Sequence, residues 1–243
     1  MDPNYQTQSL NNNQAGGVAT KLPPFTNLDP STFDPAKEYN FRVAVLIGLI
    51  VLTIIKFILE GPRHLIFLSY WSYYLTIGLY VLLIFHLQEG SPNDSAVYGW
   101  LNILSQLQLS VSFLVVFYYW LINYPHDSKR IFAMTTKLRR YFEYFQTVVI
   151  HGIAPALGWI HVFTCDADLK VENIKYLAYF FVLYCLFGII YIEFIGKEPI
   201  YPMLDYRKFK RFLAVFTAVT TMFTLGSLGA MSINKYILSI YVK

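Results

Sequence analysis

The stretch RVAVLIGLIVLTIIKFILE, residues 42–60, decides the architecture. At about 1.5 Å per residue, a helix of this length covers the hydrocarbon core of a bilayer, which is about 30 Å thick. Five more apolar stretches of spanning length follow, near 64–88, 97–124, 142–164, 173–196 and 211–234. The Gly61-Pro62 pair ends the first, and Gly90-Ser91-Pro92-Asn93-Asp94 separates the second from the third, because these residues favour turns over helix. The pattern predicts an all-α integral membrane bundle of about six transmembrane helices over 42–243, preceded by a polar N-terminal arm over 1–41.

Composition supports a lipid environment. Apolar residues make up 56% of the chain and charged residues 14%, whereas a water-facing domain carries roughly a quarter charged. Aromatic residues reach 18%, with 20 Tyr and 20 Phe, as expected where belts form at membrane interfaces. Cys165 and Cys185 form no C-x-x-C pair and read as packing residues. The net charge of +4 sits mainly in two short basic loops, so nucleic acid is not an expected partner.

The first 40 residues are rich in Asn, Gln, Pro, Thr and Asp, with no basic residue before Lys21. They show neither a signal peptide nor an Arg-rich presequence. The Asp29-Pro30 and Asp34-Pro35 pairs predict extended or turn structure, since proline lacks a backbone donor and restricts its predecessor. Of the 19 Lys and Arg, 12 lie in or beside the 1–2, 3–4 and 5–6 connections. The positive-inside tendency places those connections in the cytosol or the mitochondrial matrix, with both termini opposite.

Ionisable groups at bilayer depth are costly unless they pair or line a cavity, which draws attention to Lys56, Glu143, His151, His161 and Glu193. Lys56 and Glu193 lie near span ends, where snorkelling or a plain ion pair is expected, and Glu143 begins its span. His151 is mid-span, and Pro155 removes the helical hydrogen bond that would engage the His151 carbonyl. A polar kink is expected there, with Gly152 and Gly158 allowing close approach by another helix or a ligand. His151, Gly152, Pro155 and His161 form the candidate pocket or kink. The two histidines are too far apart along one straight helix to share a metal, and no cofactor is expected. Asn102, Gln106, Gln108 and Asn123 read as interhelical hydrogen-bonding groups, and Tyr118-Tyr119-Trp120 as packing or belt residues.

Four segments carry a resemblance: Phe67-Leu68-Ser69-Tyr70-Trp71-Ser72, Phe117-Tyr118-Tyr119-Trp120, His151-Gly152-Ile153-Ala154 and Ile200-Tyr201-Pro202-Met203-Leu204-Asp205-Tyr206. In order and spacing over about 64–230 they resemble the androgen-induced protein and rolling-stone group of multi-pass membrane proteins. For some animal members the resemblance implies an intramembrane hydrolase that cleaves fatty-acid esters of hydroxy fatty acids with a Thr nucleophile and a His. Carried over, the nucleophile falls on Ser69, whose hydroxyl a base can activate. The family's His motif reads Asn-His-x-x-His, with the second His catalytic. Aligned without a gap, His151 takes the first position and Ala154 the second, so the base is lost unless the register slips or His151 itself turns toward Ser69.

The first functional reading is therefore a non-catalytic accessory subunit of a larger membrane complex, with other membrane subunits held by the N-terminal arm. The alternatives are a lipid-ester hydrolase using Ser69 and His151, and a lipid-binding or carrier protein. Membrane lipids are expected partners in each case. The mitochondrial inner membrane is the expected location over the endoplasmic reticulum, by analogy with the small multi-pass chains of large assemblies there.

Overall fold

A computed structural model describes residues 35–89, 96–164, 169–201 and 205–241. The arm as far as residue 34, the 90–95 connection, Cys165 and the Pro202, Met203 and Leu204 portion of the Tyr-Pro-x-Leu-Asp segment lie outside them.

Among the described residues the chain is helical and has no strand. Helix α1 spans Pro35–Glu60 and leads through a 3-10 turn, Gly61–Ile66, into α2, Leu68–Glu89. Helix α3, Ala96–Tyr118, continues through a π-helical turn, Tyr119–Asn123, into α4, Tyr124–Phe132. Helix α5, Lys137–Val148, likewise continues through a π-helical turn, Val149–Ile153, into α6, Ala154–Thr164. After a 3-10 turn at Val171–Asn173 come α7, Ile174–Tyr191, a third π turn at Ile192–Gly196, and α8, Phe209–Tyr241. These elements make six stretches long and apolar enough to cross a membrane: Ala36–Leu59, Leu68–His86, Ala96–Phe132, Lys137–Val162, Val171–Gly196 and Phe209–Tyr236.

The breaks follow from local chemistry. Helix α1 begins at Pro35, ahead of the expected apolar span, because proline at a first helical position gives up only a donor that has no partner there. Glu38 and Arg42 pair one turn apart on its first turns. At its far end Gly61 adopts φ +64°, a left-handed conformation that glycine reaches without a Cβ penalty. Lys197 takes the same role after the third π turn with φ 58°. Beyond it, Asp205 forms a two-pronged pair with Arg207, Nε to Oδ1 at 2.7 Å and Nη2 to Oδ2 at 3.1 Å. That guanidinium holds the Asp205 carboxyl below its ordinary range.

Helix α3 is the centre of the bundle, packing against α2, α6, α7 and α8. This explains its sequence. Asn102, Ser105, Gln106, Gln108, Ser110 and Ser112 are all buried, while α1, α7 and α8 expose large apolar side chains such as Ile54, Leu183 and Leu225. In lipid the apolar surface belongs outside and hydrogen-bonding groups pack between helices, typically for about 0.6 kcal/mol per bond. Gln106 Nε2 donates to Ser227 Oγ on α8 at 2.8 Å, and its Oε1 accepts from the Lys170 amide at 3.2 Å. Gln108 Nε2 donates to Thr76 Oγ1 on α2 at 3.2 Å. The expected interhelical role of these two amides is thus met by named partners.

The two glycines beside His151 differ. A Cβ at Gly158 would collide with the carboxamide of Gln108, which is 0% exposed and tied to Thr76. A Cβ at Gly152 would meet nothing within 4 Å. Gly158→Ala should therefore destabilise the protein by about 1–3 kcal/mol through overpacking, whereas Gly152→Ala should be close to neutral. Thermal unfolding of both variants in the same detergent checks this, and equal melting would remove the packing role given to Gly158.

Candidate functional site

Proline cannot donate to the carbonyl four residues back, and its ring crowds that carbonyl. Pro155 and Pro125 do this to His151 and Leu121, and each proline is the second residue after a π turn. The wider turn bows the backbone outward and lets the helix continue. The amides just past the two turns make the longer bond, Tyr124 to the Tyr119 carbonyl and Ala154 to the Val149 carbonyl. The carbonyl that Pro155 leaves open is not wasted: the Trp120 indole Nε1–H donates to His151 O at 2.8 Å.

That bond locks the two π turns together. The Tyr119 and His151 rings stack with centroids 3.5 Å apart and planes 12° apart. His151 Nδ1 lies 3.1 Å from the Thr147 carbonyl oxygen. A carbonyl only accepts, so this contact assigns the proton to Nδ1 and leaves Nε2 with a free lone pair. The ring is buried, at 8% exposure, and fixed on both its face and its edge.

Two cavities meet beside it. The larger, about 800 Å3, is polar and is lined by groups that include Lys56, Asp127, Arg130, Arg139, Glu143 and Thr147. Its walls come from the 1–2, 3–4 and 5–6 ends of the spans, and Arg130 and Arg139 carry it to the surface. The smaller, about 80 Å3, is apolar and is walled by Leu114, Val115, Phe181, Val215 and Val219 among others. Ser69, Tyr119, Asn123, His151 and Tyr201 line both. Tyr201 lies outside the spans, and burial pushes its phenol up to about 12, so it faces the cavities as a neutral group.

Ser69 is the second residue of α2, three positions past the end of the 3-10 turn, and the fold brings it to the same cavity walls as His151. The two are not hydrogen-bonded to each other. Ala154, 0% exposed, packs with Leu49, Tyr73, Val149 and Ile150 and lines neither cavity. Gly152, Pro155 and His161 also lie off both walls, and His161 is buried farther along α6. Glu143 and Lys56 pair across α5 and α1 at 3.4 Å, each 6% exposed, so both sequence-selected charges find a partner. Glu193 accepts from the Tyr206 hydroxyl.

By residue type Tyr119 is expected in packing and Asn123 in interhelical bonding, yet both border the cavities. The signal that would have found them is Pro125: a proline inside an apolar span marks a place where side chains and irregular turns take over backbone bonding. Among the described residues, no cluster of three or more His, Cys, Asp or Glu is arranged to hold a metal.

The fold and this interior define the class: the chain is a multi-pass integral membrane protein, an all-helical bundle with a polar site between its helices. Compared with protein-family models, curated proteins and solved structures, it matches none.

The Lys56–Glu143 pair is open to test. Removing one partner of a buried pair typically costs about 3–5 kcal/mol because the other charge is stranded. The polar cavity beside Lys56 and Glu143 moderates that cost. Lys56→Met should lower unfolding stability by about 2 kcal/mol or more, and adding Glu143→Leu should recover most of it. A double variant no more stable than the single one would show that the ion pair is not what Lys56 contributes.

Proposed function

We propose that this protein is an intramembrane lipid-ester hydrolase with Ser69 as nucleophile and His151 as general base. The observation that carries the reading is the placing of Ser69 and His151 on the shared wall of a polar and an apolar cavity. A lipid ester has the same division, with a polarised carbonyl joined to an aliphatic chain. The apolar cavity accepts the part of the chain next to the ester, the ester carbonyl lies at the seam, and water reaches it through the polar side.

The chemistry follows from the His151 tautomer. Nε2 removes the Ser69 hydroxyl proton as Oγ bonds to the ester carbonyl carbon. When the tetrahedral intermediate collapses, the carbon–oxygen bond to the alcohol breaks and Nε2 returns the proton to the leaving oxygen. A water molecule, deprotonated by the same nitrogen, then adds to the acyl-serine carbonyl; the bond to Oγ breaks, Nε2 returns the proton to Ser69 Oγ, and the fatty acid leaves. The Thr147 carbonyl holds the imidazole ready and stabilises its charged form during each transfer. Although Ser69 and His151 are not yet in hydrogen-bond contact, such contacts commonly tighten only around a bound substrate.

The family resemblance bears on this reading through register. The residue that gapless alignment sets on the catalytic histidine is Ala154, which faces the core between α1, α2 and the second π turn. The histidine that borders the cavities is His151. A register slipped by three residues, with His151 in the catalytic role, is compatible with this geometry, and it is the alignment on which the hydrolase reading stands.

Ser69→Ala should abolish hydrolysis of a long-chain ester by the purified protein without reducing its amount, and Ser69→Thr should retain activity. His151→Gln should slow turnover by about a hundredfold or more. Val219→Phe, which fills the apolar cavity, should shift preference toward shorter acyl chains. Cleavage unaffected by Ser69→Ala would sink the hydrolase, and co-migration of the inactive protein with fixed partners in a mild-detergent extract would favour the subunit reading.

A further inference from the structure

Ester hydrolysis through Ser69 and His151 needs a third participant, because the carbonyl oxygen becomes an oxyanion as Oγ adds. Water in the polar cavity must reorient to meet that charge, whereas a donor fixed by the fold does not. A donor must already stand on the cavity wall, and it must be one that the folded protein does not use elsewhere. The Tyr119 hydroxyl meets these conditions. Its residue is 5% exposed and lines both cavities together with Ser69 and His151. Its oxygen is buried with no partner in hydrogen-bond geometry, while Thr147 and Asp127 are polar side chains close enough to act on it.

An unpaired buried hydroxyl is unfavourable in the resting protein, and it persists here because the ring is held for another reason. Stacking on His151 at 3.5 Å fixes the phenol relative to the base, and the π turn around it is braced by the Trp120 bond to the His151 carbonyl. The donor and the base are therefore held in a fixed relation to each other.

We propose that Tyr119 is the oxyanion donor of this site, its hydroxyl bonding the former carbonyl oxygen in the tetrahedral state. The proposal rests on the hydrolase reading. The phenolic proton stays on the tyrosine throughout: the bond strengthens as negative charge builds on the substrate oxygen and weakens when the carbonyl re-forms. Tyr119 thus acts on the transition state more than on the bound ester, which is the condition for raising turnover.

Tyr119→Phe separates the hydroxyl from the ring, since phenylalanine keeps the stack on His151. The measurement is kcat and KM on a long-chain ester for wild type, Tyr119→Phe and Ser69→Ala, together with inhibition by a long-chain trifluoromethyl ketone, which adds to the serine to give a stable oxyanion. The expected result is a fall in kcat of about a hundredfold, the size seen on removing one oxyanion donor, with KM little changed. The ketone should weaken by the same factor, with the melting temperature not lowered and the shape of the pH profile unaltered. Wild-type kcat and ketone affinity in Tyr119→Phe, alongside an inactive Ser69→Ala, overturn the donor and leave the hydrolase standing. A loss of activity accompanied by a lowered melting temperature and unchanged ketone affinity in the folded fraction also overturns it, as a packing role. Wild type with no cleavage that depends on Ser69 overturns both.

Discussion

The hydrogen bond from the Trp120 indole to the His151 carbonyl is the constraint on which the interior of this protein turns. A spanning helix satisfies its backbone internally, and lipid offers nothing to a group left out. Pro155 leaves the His151 carbonyl out. A side chain from another helix has to reach it, and that helix must come close at a fixed height in the membrane. Trp120 reaches it from a π turn that itself relieves a proline, Pro125. Two irregularities that would each be a defect in isolation are adjacent and complementary. Beside their contact lie the Tyr119–His151 stack and the cavity that Ser69 borders.

The bundle around this pair is organised by the opposite of a soluble core. Helix α3 carries amides and hydroxyls on the sides that face its neighbours, and each pairing contributes modestly, because in a bilayer the unfolded alternative also finds partners. Close packing supplies the rest. Gly158 lets the Gln108 carboxamide lie against α6 on its way to Thr76, joining α2, α3 and α6 at one level. The buried Lys56–Glu143 pair does similar work between α1 and α5, where the polar cavity softens its desolvation. Polar contacts therefore fix which helix faces which, while apolar side chains on α1, α7 and α8 meet lipid.

Much of the fold was legible because it depends on length and local chemistry. Six apolar runs, the Gly61-Pro62 break and the orphaned His151 carbonyl follow from residue type and spacing alone. The places that were missed involve relief of strain by a neighbour. The Asp34-Pro35 pair predicts a turn, yet Pro35 starts α1, because a proline at the first helical position breaks no bond. The third span was expected to stop near 124 but runs through Pro125 to Phe132, because the π turn carries it past the proline. No periodicity in the sequence marks a π turn; only the proline hints at it. Ser69 and His151 were each visible, but their sharing of a wall is a fact of packing between α2 and the second π turn. The role proposed for Tyr119 rests on where its buried hydroxyl lies, which no single sequence discloses.

The same packing bears on why a site would sit here. An ester within a bilayer is separated from water, and a hydrolytic site must bring the two together without leaving polar backbone facing lipid. A straight, fully bonded helix pair leaves no room for this. Helices bowed by proline make room, and irregular backbone at membrane depth is tolerated where protein or a cavity surrounds it. In this protein the room divides at Ser69 and His151 into a charged side reaching the ends of the spans and an apolar side between α3, α7 and α8. The charged side lies at the connections that hold most of the lysines and arginines, the face that the positive-inside tendency turns toward cytosol or matrix. Water and an aliphatic chain would thus approach the seam from different chambers, and the residue between them that can accept a proton is the one whose carbonyl had to be rescued by Trp120.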